Sequence, residues 1–517
     1  MEEVASSPLE VRLVAYTKKP YDLAIAAAHS CRSEQPVAVE KVTEKQRLTL
    51  GPSTWRAGHH TLYEHSQFTF RLYGISRLLT WSFLHSHPFY NSSQQSQRFV
   101  KLEKIRVYKP CLEGSACEIY ESAIRRAWTA YRELSELLRK DDDLLDWLRG
   151  LKLPKGRSLE TEASQRALET ARYVVPLAAQ TGMHHTIDGL TLHRYKRLAE
   201  LCDVPTEAKA VVAAMINEVK AVDPDFFDKI GEDCLALEQS PDYAFFNALK
   251  SADPKWGTAA FNAEFDAELG GRSAKLISQT NVDDLADSVR TVFGLPAAGL
   301  AAEEIVRLLL SPETNSLLCD TLNSLMQSPL GKAMNSGSYK VKKKISNCCD
   351  SQNQRHRMVP ATRQLFLFSD TAEPDYIMPK SIAANRAART LFEDAMEAAW
   401  DAKERLLKLG VEPEHALYVL PNAKAVRLVE SGSLLNFYHK WRLRSCWNAQ
   451  LEIYETTLDE LEQLVELCPT VASQIGPYCW LRKRGGRLPY CPEGMRFCGF
   501  PVWNSWSDAT FRRTRRA

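Results

Sequence analysis

GHHTLYEH at residues 58–65, FTFRLYGISR at 68–77 and SSQQSQRFV at 92–100 make one connected reading. The first run gathers His59, His60, Thr61, Glu64 and His65. The second places Phe68, Phe70 and Leu72 at alternate positions, the period of a half-buried strand. The third is a loop of small hydrogen-bonding side chains, Ser93, Gln94 and Ser96, closed by Arg98. Neutral donors beside one fixed positive charge suit a nucleotide monophosphate, because a guanidinium fork matches phosphate oxygens and the neutral donors share the rest.

Working outward, the chain repeats itself. LVAYTKKPYDLA from Leu13 pairs with LISQTNVDDLAD from Leu276, 263 positions on. Ser86-His87-Pro88 pairs with Arg355-His356-Arg357 at an offset of 269, and YESAIRRAWTAY from Tyr120 pairs with FEDAMEAAWDAK from Phe392 at 272. ARYVVP from Ala171 pairs with ALYVLP from Ala416 at 245. The single drop in offset marks an insertion in the first copy, the polar stretch around Lys140 to Ser164. Two divergent copies of one fold are therefore expected over 1–232 and 270–517, joined by a linker at 233–269 with little periodicity of its own.

Residues 117–139 and 388–409 carry apolar and alanine positions at helical spacing with charges opposite. Segments 190–202 and 433–443 read as helices, each followed by another. YVVP and YVLP read as short β-rich runs ended by proline. Strands and helices mixed without a regular βαβ rhythm give an α+β class, and no GxGxxG or P-loop pattern is present.

Composition narrows the partners. Of 517 residues, 44% are hydrophobic and 25% charged, the profile of a globular protein too long for one ordinary domain. A net charge of +2 gives no signal for a nucleic-acid partner. No apolar run approaches the roughly 18 residues that span a bilayer, and the acidic start MEEVASSPLE is unlike a secretory leader, so a cytoplasmic location is expected. The thirteen cysteines are expected to be reduced thiols. Cys479, Cys491 and Cys498 are too widely spaced for a zinc site and lack a fourth ligand, so no metal is expected. The basic tail FRRTRRA reads as a solvated end.

The wording of the opening run is more specific than its composition. It resembles the flavin-dependent thymidylate synthases, whose signature joins a GHxSxxEH segment, an apolar strand ending in ISR, and RHRxxSxNExSxR. Gly58, His59, Thr61, Glu64 and His65 match the first part, and Ser93, Gln94, Ser96 and Arg98 stand at the N, E, S and R positions. Where the family has Arg-His-Arg, this copy has Ser86, His87 and Pro88, and Asn91 replaces the first serine. The second copy mirrors the loss. It keeps Arg355-His356-Arg357 but has Thr362, Arg363, Leu365 and Leu367 where the first has its serine-rich loop. The first copy keeps Arg172 before its VVP, where the second has Leu417. The second keeps Leu443-Arg444 and the run Asn448 to Ile453, where the first has Leu198-Ala199. The CPEG-type tail around Cys491 also occurs in family members.

The resemblance implies two divergent copies of that family's fold, an antiparallel sheet with long helices. It implies an FAD-dependent enzyme that converts dUMP to dTMP, with methylenetetrahydrofolate and NADPH as co-substrates. Ser93, Gln94, Ser96, Arg98, Arg172 and Arg444 would bind the nucleotide, with Arg98 and Arg444 the catalytic pair. His59, Thr61, Glu64, Arg355, His356, Arg357 and Asn448 would hold FAD. Complementary losses imply composite sites built from both repeats, and the family's homotetramer implies a homodimer acting as a pseudo-tetramer. A related flavoenzyme modifying a pyrimidine nucleotide, or an inactive nucleotide- or flavin-binding scaffold, are the alternatives.

Overall fold

The computed structural model describes residues 2–84, 87–252 and 257–516. It divides into two compact units, each with its own four-stranded antiparallel sheet. The first comprises Met1–Arg126, Pro176–Trp256 and Ala399–Leu420; the second comprises Ala127–Val175, Gly257–Ala398 and Pro421–Ala517.

In the first unit β1 (Glu10–Tyr16), β2 (Gln67–Ser76), β3 (Tyr90–Gln94) and β4 (Gln180–Asp188) lie in the order β1-β2-β4-β3. Alternation along β2 buries Phe68, Phe70 and Leu72. The helix Pro205–Lys220 packs its Val211, Met215 and Val219 into the core on this side. In the second unit β5 (Ala274–Ser278), β6 (Ser338–Ser346), β7 (Ala361–Arg363) and β8 (Ala425–Ser433) repeat the order as β5-β6-β8-β7, with the helix Leu451–Leu467 against β5 and β6.

The β3–β4 and β7–β8 registers agree residue by residue. Ser93 pairs with His184 and Gln94 with Met183, while Thr362 pairs with Val429 and Arg363 with Leu428. With β4 and β8 offset by 245, this is the alignment in which Thr362 replaces Ser93 and Arg363 replaces Gln94. The mixed class, the tandem copies and the long helices, Gly114–Arg139 and Arg386–Lys408, are all present.

The unit boundaries fall inside those long helices, after Arg126 and after Ala398. Each copy therefore gives the remainder of its helix and the following segment to the unit built on the other copy's sheet. YVVP and YVLP are not strands. Arg172–Val174 and Leu417–Val419 are single 3-10 turns that continue a preceding helix. Their β character is nevertheless used by the backbone. In the first unit Leu177 N–H donates to Leu420 O (2.8 Å) and Ala178 N–H to Tyr418 O (2.9 Å); in the second Ala423 N–H donates to Tyr173 O (2.8 Å) and Asn422 N–H to Val175 O (2.9 Å).

The linker carries structure of its own, and the expectation of a solvated tail fails. The stretch 233–269 carries the helices Pro241–Ala252 and Thr258–Leu269, the latter ended by Gly270 in the left-handed region (φ 60). Their periodicity is faint because few positions are buried, only Asn262, Phe265 and Leu269 in the second. The tail is not a free end either. Arg513 pairs with Asp459 and Glu462, and Arg515 is 4% exposed with its guanidinium on Ala449 O.

Candidate functional site

In the first unit the GHHTLYEH run follows the helix Glu44–Arg56. Gly58 (φ 79) makes the reversal, a conformation a side chain would strain. His60 packs tilted against Trp55 (4.5 Å between ring centres) and bonds its carbonyl (2.9 Å), and Tyr63 is buried. That anchoring leaves His59, Thr61, Glu64 and His65 exposed. On β3, Ser93 faces solvent while Gln94 turns inward and donates from Nε2 to Thr80 Oγ1 (2.9 Å). Ser96 Oγ accepts from the Arg98 N–H (3.2 Å), and the Arg98 guanidinium lies 5.4 Å from the Phe99 ring centre. The loop thus gathers Ser93, Gln94, Ser96 and Arg98 at one edge of the sheet.

Just before β3 the triplet is replaced; Ser86 lies outside the described residues. His87 Nδ1 accepts from Phe89 N–H (2.9 Å), which leaves Nε2 to donate to Tyr195 OH (2.7 Å). Tyr195 in turn meets His185 Nε2 (3.0 Å). Burial, with His87 nearby, pushes the His185 pKa down to about 3, so this chain is neutral.

The second unit holds the other group. The helix Asn347–Asn353, capped by Ser346, leads into Arg355-His356-Arg357. Arg355 and Arg357 are exposed and His356 is buried between them. Arg444 Nε donates to His356 Nε2 (2.7 Å) and Nη2 to Gln352 O (2.6 Å). Burial, with Arg444 and Lys440 close by, holds the His356 pKa well below the usual imidazole value, consistent with its acting as an acceptor. Asn448 donates to the Arg496 carbonyl.

Arg172 belongs to this second unit although it comes from the first copy. It is 4% exposed, donates from Nε to Glu169 O (3.1 Å), and its buried Nη2 has no hydrogen-bond partner among the described residues. Cys348 and Cys349, at the start of the helix Asn347–Asn353, lie beside it as buried thiols. Arg172 thus stands near one end of that helix and Arg444 with His356 at the other, roughly 10 Å of helix apart.

Sequence reasoning passed over the clasp beside it. Ser346 N–H and Oγ donate to Glu452 Oε1 and Oε2 (2.7 and 2.6 Å), Tyr173 OH donates to Glu452 Oε2 (2.5 Å), and Gln450 Nε2 donates to Tyr173 OH (2.6 Å). Burial raises the Glu452 pKa against these bonds and the Arg172 charge. The first unit contains the same clasp: Ser76 on Glu207 (2.7 and 2.6 Å) and Tyr418 OH on Glu207 (2.6 Å). In each, the tyrosine is supplied by the other copy. The recurring Tyr-Val-x-Pro was the available signal.

Cys479, Cys491 and Cys498 are partly buried free thiols, and among the described residues no three His, Cys, Asp or Glu side chains are arranged for a metal ion. Nor is any described helix long and apolar enough to cross a membrane.

The sequence profile of the thymidylate synthase complementing proteins matches residues 12–225 and 275–470, once per copy. The chain belongs to the flavin-dependent thymidylate synthase family. A relative named flavin-dependent thymidylate synthase from Clostridium tetani is 30% identical over 235 residues, 44% of this chain and 88% of that protein. Proteins of the same name from Geobacter sulfurreducens and Nitratidesulfovibrio vulgaris are each 32% identical, over 158 and 171 residues. These spans cover 30% and 31% of this chain, and 65% and 67% of those relatives. The two matches place one copy of the domain in each half of this flavin-dependent thymidylate synthase family member, and each copy lacks a part of the signature that the other keeps.

Proposed function

We propose that this chain methylates dUMP to dTMP in the cytoplasm, with methylenetetrahydrofolate as carbon donor, NADPH as reductant and FAD as cofactor. Its site residues are drawn from both repeats, and the chain acts as a homodimer equivalent to a tetramer of single copies. The observation that carries this reading is Arg172. A first-copy arginine sits among second-copy residues with a buried Nη2 that lacks an acceptor among the described residues, which a ligand oxygen would supply.

The donor set fits an anionic, diphosphate-bearing cofactor: Arg355 and Arg357 are exposed cations flanking a neutral histidine. Arg355, Arg357, His59, Thr61, Glu64 and Asn448 would hold FAD, with His356 acting through Arg444. Bound flavin supplies the hydride chemistry. Ser93, Gln94 and Ser96 fix the nucleotide by hydrogen bonds, Arg98 and Arg172 balance its phosphate, and Arg444 polarises the base.

Tritium release from 5-labelled dUMP with methylenetetrahydrofolate and NADPH, followed by identification of the product, tests the reaction. Arg98→Ala and Arg357→Ala should each lower activity by about a hundredfold or more, the scale of losing one positioned charge. Mixing the two variants should restore part of it. Release with a product other than dTMP would favour a related pyrimidine modification, and a protein that binds neither FAD nor dUMP would overturn the reading.

A further inference from the structure

Beneath the Arg355-His356-Arg357 turn lies a set of charges with no counterpart in the first copy. Lys343 on β6 bridges Glu430 on β8 (2.6 Å) and Glu460 on the helix Leu451–Leu467 (2.5 Å). Lys440, from the helix Leu434–Arg444, also pairs with Glu430. All four side chains are no more than 2% exposed. Asn353, the last residue of the helix before the turn, donates from Nδ2 to Glu430 Oε1 (2.5 Å), and its carbonyl accepts the His356 N–H (3.0 Å). The set therefore reaches the triplet by hydrogen bond through Asn353, with Lys440 and Lys343 also close to His356.

Sheet register and the two Ser–Glu–Tyr clasps fix the equivalent positions in the first copy. Leu72 stands for Lys343, His185 for Glu430, Tyr195 for Lys440 and Met215 for Glu460. The copy without the arginine triplet thus fills the same positions with a neutral set. Buried ion sets are not needed for folding, since apolar replacements of similar volume are often neutral or stabilising. The first copy is an example within the same chain. The charges accompany the triplet, not the fold.

We propose that the Lys343–Glu430–Lys440–Glu460 set, acting through Asn353, positions the Arg355-His356-Arg357 turn to receive FAD. These are positioning residues, and the inference rests on the FAD-binding reading above.

The test replaces the four charges by their first-copy equivalents, Lys343→Leu, Glu430→His, Lys440→Tyr and Glu460→Met, in the full chain. FAD affinity by flavin fluorescence, dUMP affinity by calorimetry and melting temperature are then measured. FAD affinity should fall at least tenfold, with dUMP affinity within twofold of the parent and the cooperative melt retained. Asn353→Ala leaves the four charges paired and should weaken FAD binding severalfold; it decides the matter should the fourfold variant not fold. Parent-like FAD affinity in a folded fourfold variant, or in Asn353→Ala, would overturn the proposal. A parent protein that binds no FAD overturns the underlying reading instead.

Discussion

The two copies solve one packing problem in two ways. Around the end of β2 the first buries Phe83, Leu72, His185 and Tyr195, with Phe83 4.1 Å from the Tyr195 ring centre and 5.9 Å from that of His185. At the same places the second buries Asn353, Lys343, Glu430 and Lys440. A neighbouring pair is converted similarly: Gln94 donates to Thr80 in the first copy, and Arg363 forms a two-pronged ion pair with Asp350 (2.7 and 3.0 Å) in the second. The geometry persists while the chemistry changes. The fold tolerates either set, so the charged version answers to something other than folding.

The largest effect expected from this contrast is on stability. Lys343→Ala strips the shared cation from Glu430 and Glu460 and leaves buried carboxylates under-compensated, which costs about 3–5 kcal/mol. Combining Lys343→Leu with Glu460→Met, which removes charge of both signs, should recover much of that loss. Urea titration of both variants measures the difference. Equal destabilisation would break the idea that the set is held by mutual compensation.

Next in size is a pH effect confined to the clasps. Glu207 is buried with hydroxyl and amide donors but no cation among the described residues; burial, with a smaller push from Glu414, raises its pKa to about 7. In the unfolded chain it titrates near about 4.3. A folded-state pKa above the unfolded one means that the stabilisation is fully present below about pH 4.3 and is lost as pH rises through about 7, roughly 4 kcal/mol in all. Glu207→Gln should flatten stability over that window. Glu452→Gln should flatten it less, because the Arg172 charge opposes the rise at Glu452. Urea midpoints at pH 5 and pH 8 separate the two.

Much of this was legible in the sequence, and the gaps have physical causes. The offsets of 263, 269 and 245 reappear as sheet register, because register depends on alternation and alternation survives divergence. The buried charges did not show, since lysine and glutamate read as surface residues. Yet in SYKVKKKIS the parity of Tyr339, Val341 and Ile345 includes Lys343, which placed one lysine on the apolar face. The exchange of Tyr173 and Tyr418 between copies was hidden, because a repeat reveals what is equivalent and not where each copy packs. The tail misled because Arg515 lies in a buried position that its neighbours in sequence do not announce.

The smallest effect distinguishes the clasps from each other. Tyr418→Phe removes one donor from Glu207, and Ser76 still supplies two; a hydrogen bond to a charged group is worth about 1.5–3 kcal/mol, and less while Glu207 is partly protonated. Tyr173→Phe removes the matching donor from Glu452 but also takes the acceptor from Gln450 Nε2, which has Cys348 Sγ (3.7 Å) as a weaker alternative. The second-unit variant should therefore be the more destabilised by about 1 kcal/mol, the cost of one buried donor left poorly satisfied. Adding Gln450→Leu to Tyr173→Phe removes that donor and should bring the two clasps level in a urea titration. A gap that survives the double substitution would assign the asymmetry to the buried Arg172 beside the clasp, and not to Gln450.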